Sequence, residues 1–175
     1  MDKIKNFIIR GERNSGKSFL IKKIISGYNR KVKTAGFFTE KDNSGTVTFT
    51  VWDNFCLINN GPQMIIYDLN DKIIRENVFE ELGVWALNRA LEHGSLLVMD
   101  ELGRFEKDCR NFTRAVLRAF SSGLPIIAAM KKEENPFLCS ILERKDILLL
   151  EIDPCNRTEV FNEINLNMNK LFPLD

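Results

Sequence analysis

Gly11-Glu12-Arg13-Asn14-Ser15-Gly16-Lys17-Ser18 is the most informative stretch of the sequence, because it matches the pattern G-x-x-x-x-G-K-[ST]. It lies between an apolar segment, Ile4 to Ile9, and an amphipathic segment from Lys17 to about Ser26. A glycine-bounded loop between a strand and a helix lets backbone N–H groups converge on phosphate oxygens, and the helix N-terminus adds a partial positive charge. The octet therefore predicts a phosphate-binding loop between the first strand and the first helix.

Side chains of this loop have separate expected tasks. Lys17 is expected to reach the β- and γ-phosphates of a nucleotide, and the Ser18 hydroxyl to take a place around Mg²⁺, the predicted cofactor. The predicted nucleotide-binding residues are the octet and the residue after it, namely Gly11, Glu12, Arg13, Asn14, Ser15, Gly16, Lys17, Ser18 and Phe19.

Two adjacent carboxylates form a second candidate site. Leu96 to Met99 is a continuous apolar run of strand length, and Asp100 and Glu101 follow it directly. A phosphate-bound Mg²⁺ needs a carboxylate on a neighbouring strand, so we expect Asp100 to hold the metal, directly or through an intervening ligand. Glu101 is expected to orient a water against the γ-phosphate and to accept its proton. An acid at this position predicts an extra strand, Ile126 to Met130, between the strand before the loop and the strand before Asp100.

The remaining segments alternate between helix and strand. Apolar stripes at spacings of three and four predict helices over Phe79 to Leu91 and Phe112 to Phe120. Two further helices are expected around Phe137 to Leu142 and from about Arg157 to Leu171, separated by a buried strand, Ile147 to Ile152. This alternation predicts an α/β fold of three layers with a mainly parallel sheet, and the phosphate loop after its first strand makes it a P-loop domain.

An antiparallel β-hairpin interrupts this plan. Val32 to Lys41 is expected to be extended, Asp42 to Gly45 has turn chemistry, and Thr46 to Trp52 alternates strictly between apolar and polar residues. A second turn, Asn59 to Pro62, precedes an apolar strand, Met64 to Tyr67. The alternation predicts a hairpin with one face exposed to water.

The length and charge of the chain limit its class. A length of 175 residues fits one domain, residues 1–175, with the hairpin as an insertion at about residues 32–62. Lys+Arg 25 against Asp+Glu 24 leaves a net charge of +1, which argues against a nucleic-acid coat or a polybasic membrane binder. The apolar runs are far shorter than the roughly 20 residues of a membrane span, and Phe7 to Ile9 is too short for a secretory signal. We therefore expect a cytoplasmic protein that binds a nucleoside triphosphate but neither nucleic acid nor membrane, with its oligomeric state left open.

The number and spacing of the cysteines and histidines argue against a zinc site, a disulfide framework and a histidine-dependent nucleophile. The four cysteines are widely spaced, so we expect reduced, mostly buried thiols rather than a zinc site or a disulfide framework. They are Cys56, Cys109, Cys139 and Cys155. His93 is the single histidine and precedes Gly94 at an apparent helix end, where a cation is favoured. One histidine gives little support to a Ser-His-Asp or Cys-His mechanism.

With both motifs in place, the chain resembles the small P-loop nucleoside-triphosphatases of the THEP1 type. Four segments carry the resemblance and together span most of the chain, the phosphate loop being the first. Ala35-Gly36-Phe37-Phe38-Thr39-Glu40 is similar to the family's Gly-Phe-x-Thr-x-Glu strand, and Asn156-Arg157 to its late Asn-Arg pair. The most specific segment, Asp100-Glu101-Leu102-Gly103-Arg104-Phe105-Glu106, is close to the family's Asp-Glu-Ile-Gly-Lys-Met-Glu.

The resemblance implies a RecA-like fold and a slow, Mg²⁺-dependent hydrolase of nucleoside 5′-triphosphates with a broad base preference. Two features depart from the family. Arg13 and Asn14 stand where the family usually has Pro and Gly; after Gly, Asn tolerates left-handed backbone best, so the loop is still expected to form. The hairpin turn, Asp42 to Thr46, lacks the family's arginines. If those arginines grip phosphate or substrate, this chain is slower or uses another cation.

Some side chains near these motifs have two interpretations. Arg104, a candidate catalytic residue, either offsets charge over the phosphates or forms a surface salt bridge with Glu106 or a neighbour. Arg157 is expected to contact the nucleotide base or ribose. Asn156 and Glu159 fit a capping box, which alone would explain the asparagine.

Two other functions remain possible on these residues. A nucleotide or small-molecule kinase uses the same loop but needs a lid and an acceptor pocket, to which Pro62 to Arg75 would contribute. A guanine-specific switch GTPase needs an N-K-x-D loop, and Asn169-Lys170-Leu171-Phe172 lacks the Asp. Phosphate release without an acceptor distinguishes the hydrolase from the kinase.

Overall fold

The structure is a computed structural model that describes residues 4–28, 31–55 and 61–173. Its strands are β1 (Asn6–Gly11), β2 (Thr34–Lys41), β3 (Val47–Asp53), β4 (Gln63–Tyr67), β5 (Leu96–Leu102), β6 (Ile126–Lys131) and β7 (Ile147–Glu151). Its helices are α1 (Lys17–Tyr28), α2 (Val84–His93), α3 (Arg110–Ser121), α4 (Pro136–Leu142) and α5 (Arg157–Leu171). A π-helical turn, Val78–Gly83, leads into α2.

The seven strands form one sheet in the order β4-β3-β2-β5-β6-β1-β7. Neighbouring strands from β2 to β7 are parallel, whereas β3 and β4 run antiparallel to their neighbours. The predicted extra strand is confirmed, since β6 lies between β1 and β5. The carboxyl ends of these three parallel strands therefore meet at one edge of the sheet, where α/β folds place their ligands.

Helices cover both faces of the sheet. On one face α1 and α5 bury Ile21, Ile24 and Ile164 against alternate residues of β1. On the other face α2, α3 and α4 bury Leu87 and Phe112 in a second, larger core cluster. The predicted three-layer architecture is confirmed, and it follows from helices with one apolar stripe packed on strands that are apolar on both faces.

The hairpin of β2 and β3 belongs to the core of the fold. Val47, Phe49 and Val51 are buried, as the strict alternation predicts. Phe49 stacks on Phe37 with ring centres 4.8 Å apart and meets the edge of Phe79 at 5.8 Å. Because β2 also pairs in parallel with β5, the hairpin extends the central sheet rather than lying beside it.

Two elements differ from the expectation, α1 in its end and β7 in its burial. Helix α1 continues through Gly27, because the buried Tyr28 donates a hydrogen bond to Asn169 Oδ1 at 2.7 Å and secures the last turn. Strand β7 is not fully buried, since it is the terminal strand of the sheet and leaves Leu149 exposed.

The three described cysteines are free of disulfides, as predicted. The prediction of burial is correct for Cys109 and wrong for Cys139 and Cys155, which are exposed. Cys139 lies on the solvent side of the short α4, and Cys155 lies in the turn before α5. Cys56 and the first two residues of the predicted turn at Asn59 to Pro62 fall outside the described residues. Within the described ranges, no helix has the length and apolar character needed to cross a bilayer.

Candidate functional site

The phosphate loop connects the end of β1 to the start of α1. Asn14 and Gly16 both adopt left-handed backbone, with φ of +62° and +102°. The expectation that Asn at position 14 permits the loop to form is confirmed. The positive φ favours glycine at position 16, and an added Cβ there would also lie 2.8 Å from Arg157 Nε. The loop is therefore closed tightly against the start of α5.

Lys17 is buried at the bottom of this loop. Its ammonium donates hydrogen bonds to the carbonyl oxygens of Gly11, at 2.9 Å, and Glu12, at 2.8 Å. The same Nζ lies 3.1 Å from Glu101 Oε1. The two candidate motifs are thus joined by a direct ion pair across the end of the sheet.

Ser18 and Asp100 form a second contact between the motifs. The Ser18 hydroxyl donates to Asp100 Oδ1 at 3.0 Å, whereas Asp100 Oδ2 is buried and has no hydrogen-bond partner among the described residues. Burial raises the pKa of Asp100 to about 7, and the bond from Ser18 offsets this only in part. A hydroxyl beside an unsatisfied carboxylate oxygen is a hard, all-oxygen donor set, which suits Mg²⁺.

Glu101 lies within the strand rather than after it, because β5 continues to Leu102. Its N–H donates to the Thr39 hydroxyl at 3.1 Å, and the pairing of β5 with β6 shifts register between Met99 and Leu102. The side chain is partly exposed, and its Oε2 lies 3.9 Å from Lys131 Nζ. Glu101 can therefore reach a ligand while both of its oxygens face lysines.

A cleft of about 960 Å³ opens over these groups. Six basic and three acidic side chains line it, which favours an anionic ligand. Phe105 lines its far wall, stacked on Tyr67 with ring centres 5.7 Å apart. Arg104 is exposed at the rim with its Cζ 5.4 Å from the Phe105 ring, and no ion pair to it is found among the described residues. The alternative of a surface pair with Glu106 is wrong, because Glu106 is buried and accepts a hydrogen bond from the Gly103 N–H.

Arg157 lies behind the loop. Its Nε donates to the Ser15 carbonyl at 2.8 Å, so the first residue of α5 supports the backbone that would surround a phosphate. The predicted capping box is wrong. Instead of capping α5, the Asn156 side chain accepts from the Asp153 N–H and donates to the Glu151 carbonyl, both at 2.9 Å. The Asn156 side chain therefore stabilises the turn before α5, which places Arg157 beside the Ser15 carbonyl.

The NTPase_1 family model, described as NTPase, matches residues 6–165. The chain is 31% identical over 167 residues to the nucleoside-triphosphatase THEP1 of Thermotoga maritima, covering 90% of this chain and 91% of that protein. The chain belongs to the THEP1 nucleoside-triphosphatase family. The family suggested by the sequence motifs is thereby confirmed.

Two solved structures share the fold of this THEP1-family chain. The crystal structure of THEP1 from Aquifex aeolicus gives a TM-score of 0.76 at 22% identity, covering 91% of this chain and 96% of that one. The solution structure of a human cancer-related nucleoside triphosphatase gives 0.73 at 18% identity, covering 97% and 98%. At these identities the likeness shows the fold, and it agrees with the three-layer sheet described above.

In this THEP1-family chain the predicted loop, Asp100 and Glu101 converge on one edge of the sheet, with Phe19 exposed in the cleft. The sequence motifs assigned no role to two residues that contact Glu101: Thr39, whose hydroxyl accepts from the Glu101 N–H, and Lys131, whose ammonium lies near the Glu101 carboxylate. Lys131 carried a usable signal, since it is the first polar residue after a buried strand, as Asp100 is. Thr39 carried none beyond its place in a family motif.

Proposed function

We propose that the chain hydrolyses nucleoside 5′-triphosphates to the diphosphate and phosphate, using Mg²⁺ and accepting several bases. The observation that carries the proposal is the joint position of Lys17, Ser18, Asp100 and Glu101 at one edge of the sheet. Membership in the THEP1 family supports the hydrolysis itself.

The first step is capture of the triphosphate. Backbone N–H groups of residues 12–18 and the start of α1 surround the phosphates. Lys17 exchanges its two carbonyl partners and Glu101 for phosphate oxygens, since a charged acceptor binds an ammonium more strongly than a carbonyl does. Ser18 and Asp100 would hold Mg²⁺, which when bound offsets negative charge on the β- and γ-phosphates.

The second step is attack by water on the γ-phosphate. Release from Lys17 leaves the Glu101 carboxylate facing the cleft, where it orients the water and accepts its proton. Arg104, exposed at the rim of the cleft, is the candidate to offset charge that develops on the phosphates.

Base preference is expected to be weak. Arg157 is the predicted base or ribose contact, and an arginine fork offers donors only, so it does not distinguish purines from pyrimidines. Its bond to the Ser15 carbonyl engages Nε and leaves the terminal nitrogens available. We expect kcat/KM values for ATP, GTP, CTP and UTP to fall within about a tenfold range.

The decisive experiment measures Mg²⁺-dependent phosphate release and nucleotide binding in Lys17→Ala and Glu101→Gln. Lys17→Ala is expected to lose both, whereas Glu101→Gln is expected to bind nucleotide and to turn over at least about 100-fold more slowly, because only the proton acceptor is removed. Glu163→Gln, on an exposed position of α5, is the matched control. Unchanged turnover in Glu101→Gln would exclude it as the group that activates water.

A kinase remains the second candidate, and one observation favours it. Tyr67, Leu69, Lys72 and Ile74 line the cleft, so the stretch expected to form an acceptor pocket does reach the site. Phosphate release by purified protein without any acceptor supports hydrolysis. Nucleoside diphosphate that forms only when an acceptor is added, with the γ-phosphate on the acceptor and no inorganic phosphate released, supports the kinase.

A further inference from the structure

Glu101 lies between two ammonium groups. Lys17 Nζ is 3.1 Å from its Oε1 and Lys131 Nζ is 3.9 Å from its Oε2. All three side chains line the same cleft. One carboxylate thus has a lysine near each oxygen, Lys17 from the start of α1 and Lys131 from the end of β6.

The two lysines have different roles in the proposed reaction. Lys17 must turn to the phosphates when nucleotide binds, which removes the nearer cation from Glu101. Lys131 lies at the end of β6, opposite Gly11 in the strand pairing, and belongs to no part of the phosphate loop. Lys131 can therefore stay beside Glu101 while Lys17 leaves it.

The position of Lys131 is held by two neighbours. Its aliphatic stem lies on Gly103, where an added Cβ would come within 2.9 Å of Lys131 Cδ. Its ammonium lies 5.1 Å from the centre of the Phe105 ring, a cation–π contact. Since Phe105 is itself stacked on Tyr67, the ammonium has a supported place next to Glu101 rather than a free surface position.

We propose that Lys131 is the positioning residue for Glu101, holding the carboxylate in the orientation that accepts a proton from water after Lys17 has moved to the phosphates. This inference rests on the proposed function. A fixed ammonium partner reduces the number of rotamers that the carboxylate visits, so the carboxylate is held ready for proton transfer.

The test compares Lys131→Met, Lys131→Arg and the neighbouring Lys132→Met by steady-state hydrolysis of ATP with Mg²⁺. Lys131→Met keeps the stem and removes the charge, and we expect kcat to fall about ten- to hundredfold with KM changed less than about threefold. Lys131→Arg is expected to recover most of kcat. Lys132 is the matched control, because it is exposed, does not line the cleft, and pairs its Nζ with Glu151 Oε2 at 2.8 Å.

A double-mutant cycle with Glu101→Gln identifies the route of the effect. If Lys131 acts through Glu101, adding Lys131→Met to Glu101→Gln should change kcat less than about twofold, because the two residues then act as one unit. Equal losses in both backgrounds, failure of Lys131→Arg to rescue, or full activity of Lys131→Met would each overturn the inference. Full activity of Glu101→Gln alone would instead reject the proposed role of Glu101 and, with it, any positioning role for Lys131. Melting temperatures of all variants show whether a loss comes from unfolding.

Discussion

Glu106 carries a carboxyl that the fold buries almost completely. It accepts a hydrogen bond from the Gly103 N–H and so closes the loop that presents Arg104 and Phe105 to the cleft. Burial raises the pKa of Glu106 to about 7, and the hydrogen bond offsets this rise only in part. A residue that supports the site is therefore also a source of pH-dependent stability.

The sign of this dependence follows from the protons bound in each state. Between about pH 4.5 and pH 7 the folded chain retains a proton on Glu106 that the unfolded chain has released, so the free energy of unfolding falls as pH rises through this window. Glu106→Gln keeps an acceptor for the Gly103 N–H and removes the titration. We expect this variant to raise the melting temperature, relative to wild type, more at pH 8 than at pH 5.

Thermal unfolding without nucleotide or Mg²⁺ measures this difference. Glu163→Gln, which removes an exposed carboxyl, is expected to show the same small shift at both pH values. An equal shift for Glu106→Gln at pH 5 and pH 8 would mean that Glu106 does not titrate in the folded state as its burial requires.

At the scale of elements, the β2–β3 hairpin is bound to the core by aromatic rings. Phe49 is fully buried, stacked on Phe37 and in contact with Phe79, which lies in the π-helical turn before α2. Phe37 in turn meets Phe112 of α3 at 5.7 Å. Phe49 and Phe37 therefore connect the hairpin to the helical layer on this face of the sheet.

Replacing this ring should destabilise the whole fold. We expect Phe49→Ala to lower the free energy of unfolding by about 3–5 kcal/mol, because it removes a buried ring and leaves a cavity. Thr48→Ala, on the alternate and less buried face of the same strand, is expected to change it by less than about 1 kcal/mol. Urea unfolding measures both, and equal effects would show that the hairpin packs independently of the core.

At the scale of the whole molecule, the site exists only in the folded chain. Ser18 and Asp100 are 82 residues apart in sequence, and the Arg157 to Ser15 contact spans 142 residues. The unfolded chain therefore presents no complete phosphate site, and nucleotide binding must stabilise the native state.

A thermal shift assay measures this coupling. With Mg²⁺ and a non-hydrolysable triphosphate analogue at about 100 times its Kd, we expect about 2.7 kcal/mol of added stability. For a chain of this length that corresponds to an increase in melting temperature of about 5–10 °C. Lys17→Ala should abolish the increase, and an equal increase in this variant would place the ligand elsewhere.

Local patterns in the chain were enough to predict the phosphate loop, the helical stripes, the alternating strand of the hairpin and the two carboxylates after Met99. Each of these depends on neighbours in sequence, through backbone sterics, a helical or strand period, or the burial of a short run. The bounds of α5, Arg157–Leu171, match the predicted helix for the same reason. The left-handed Asn14 was predictable too, since side-chain sterics restrict that conformation to few residue types.

Three features required the packed molecule: the contact of Lys131 with Glu101, the support that Arg157 gives to Ser15, and the burial of Glu106. Each depends on which strand ends are neighbours and how closely helices approach the loop, and no local period encodes either property. Short stretches of the sequence therefore determine which chemical groups the site contains. The distances that bring these groups together arise from the order of β1, β6 and β5 in the sheet.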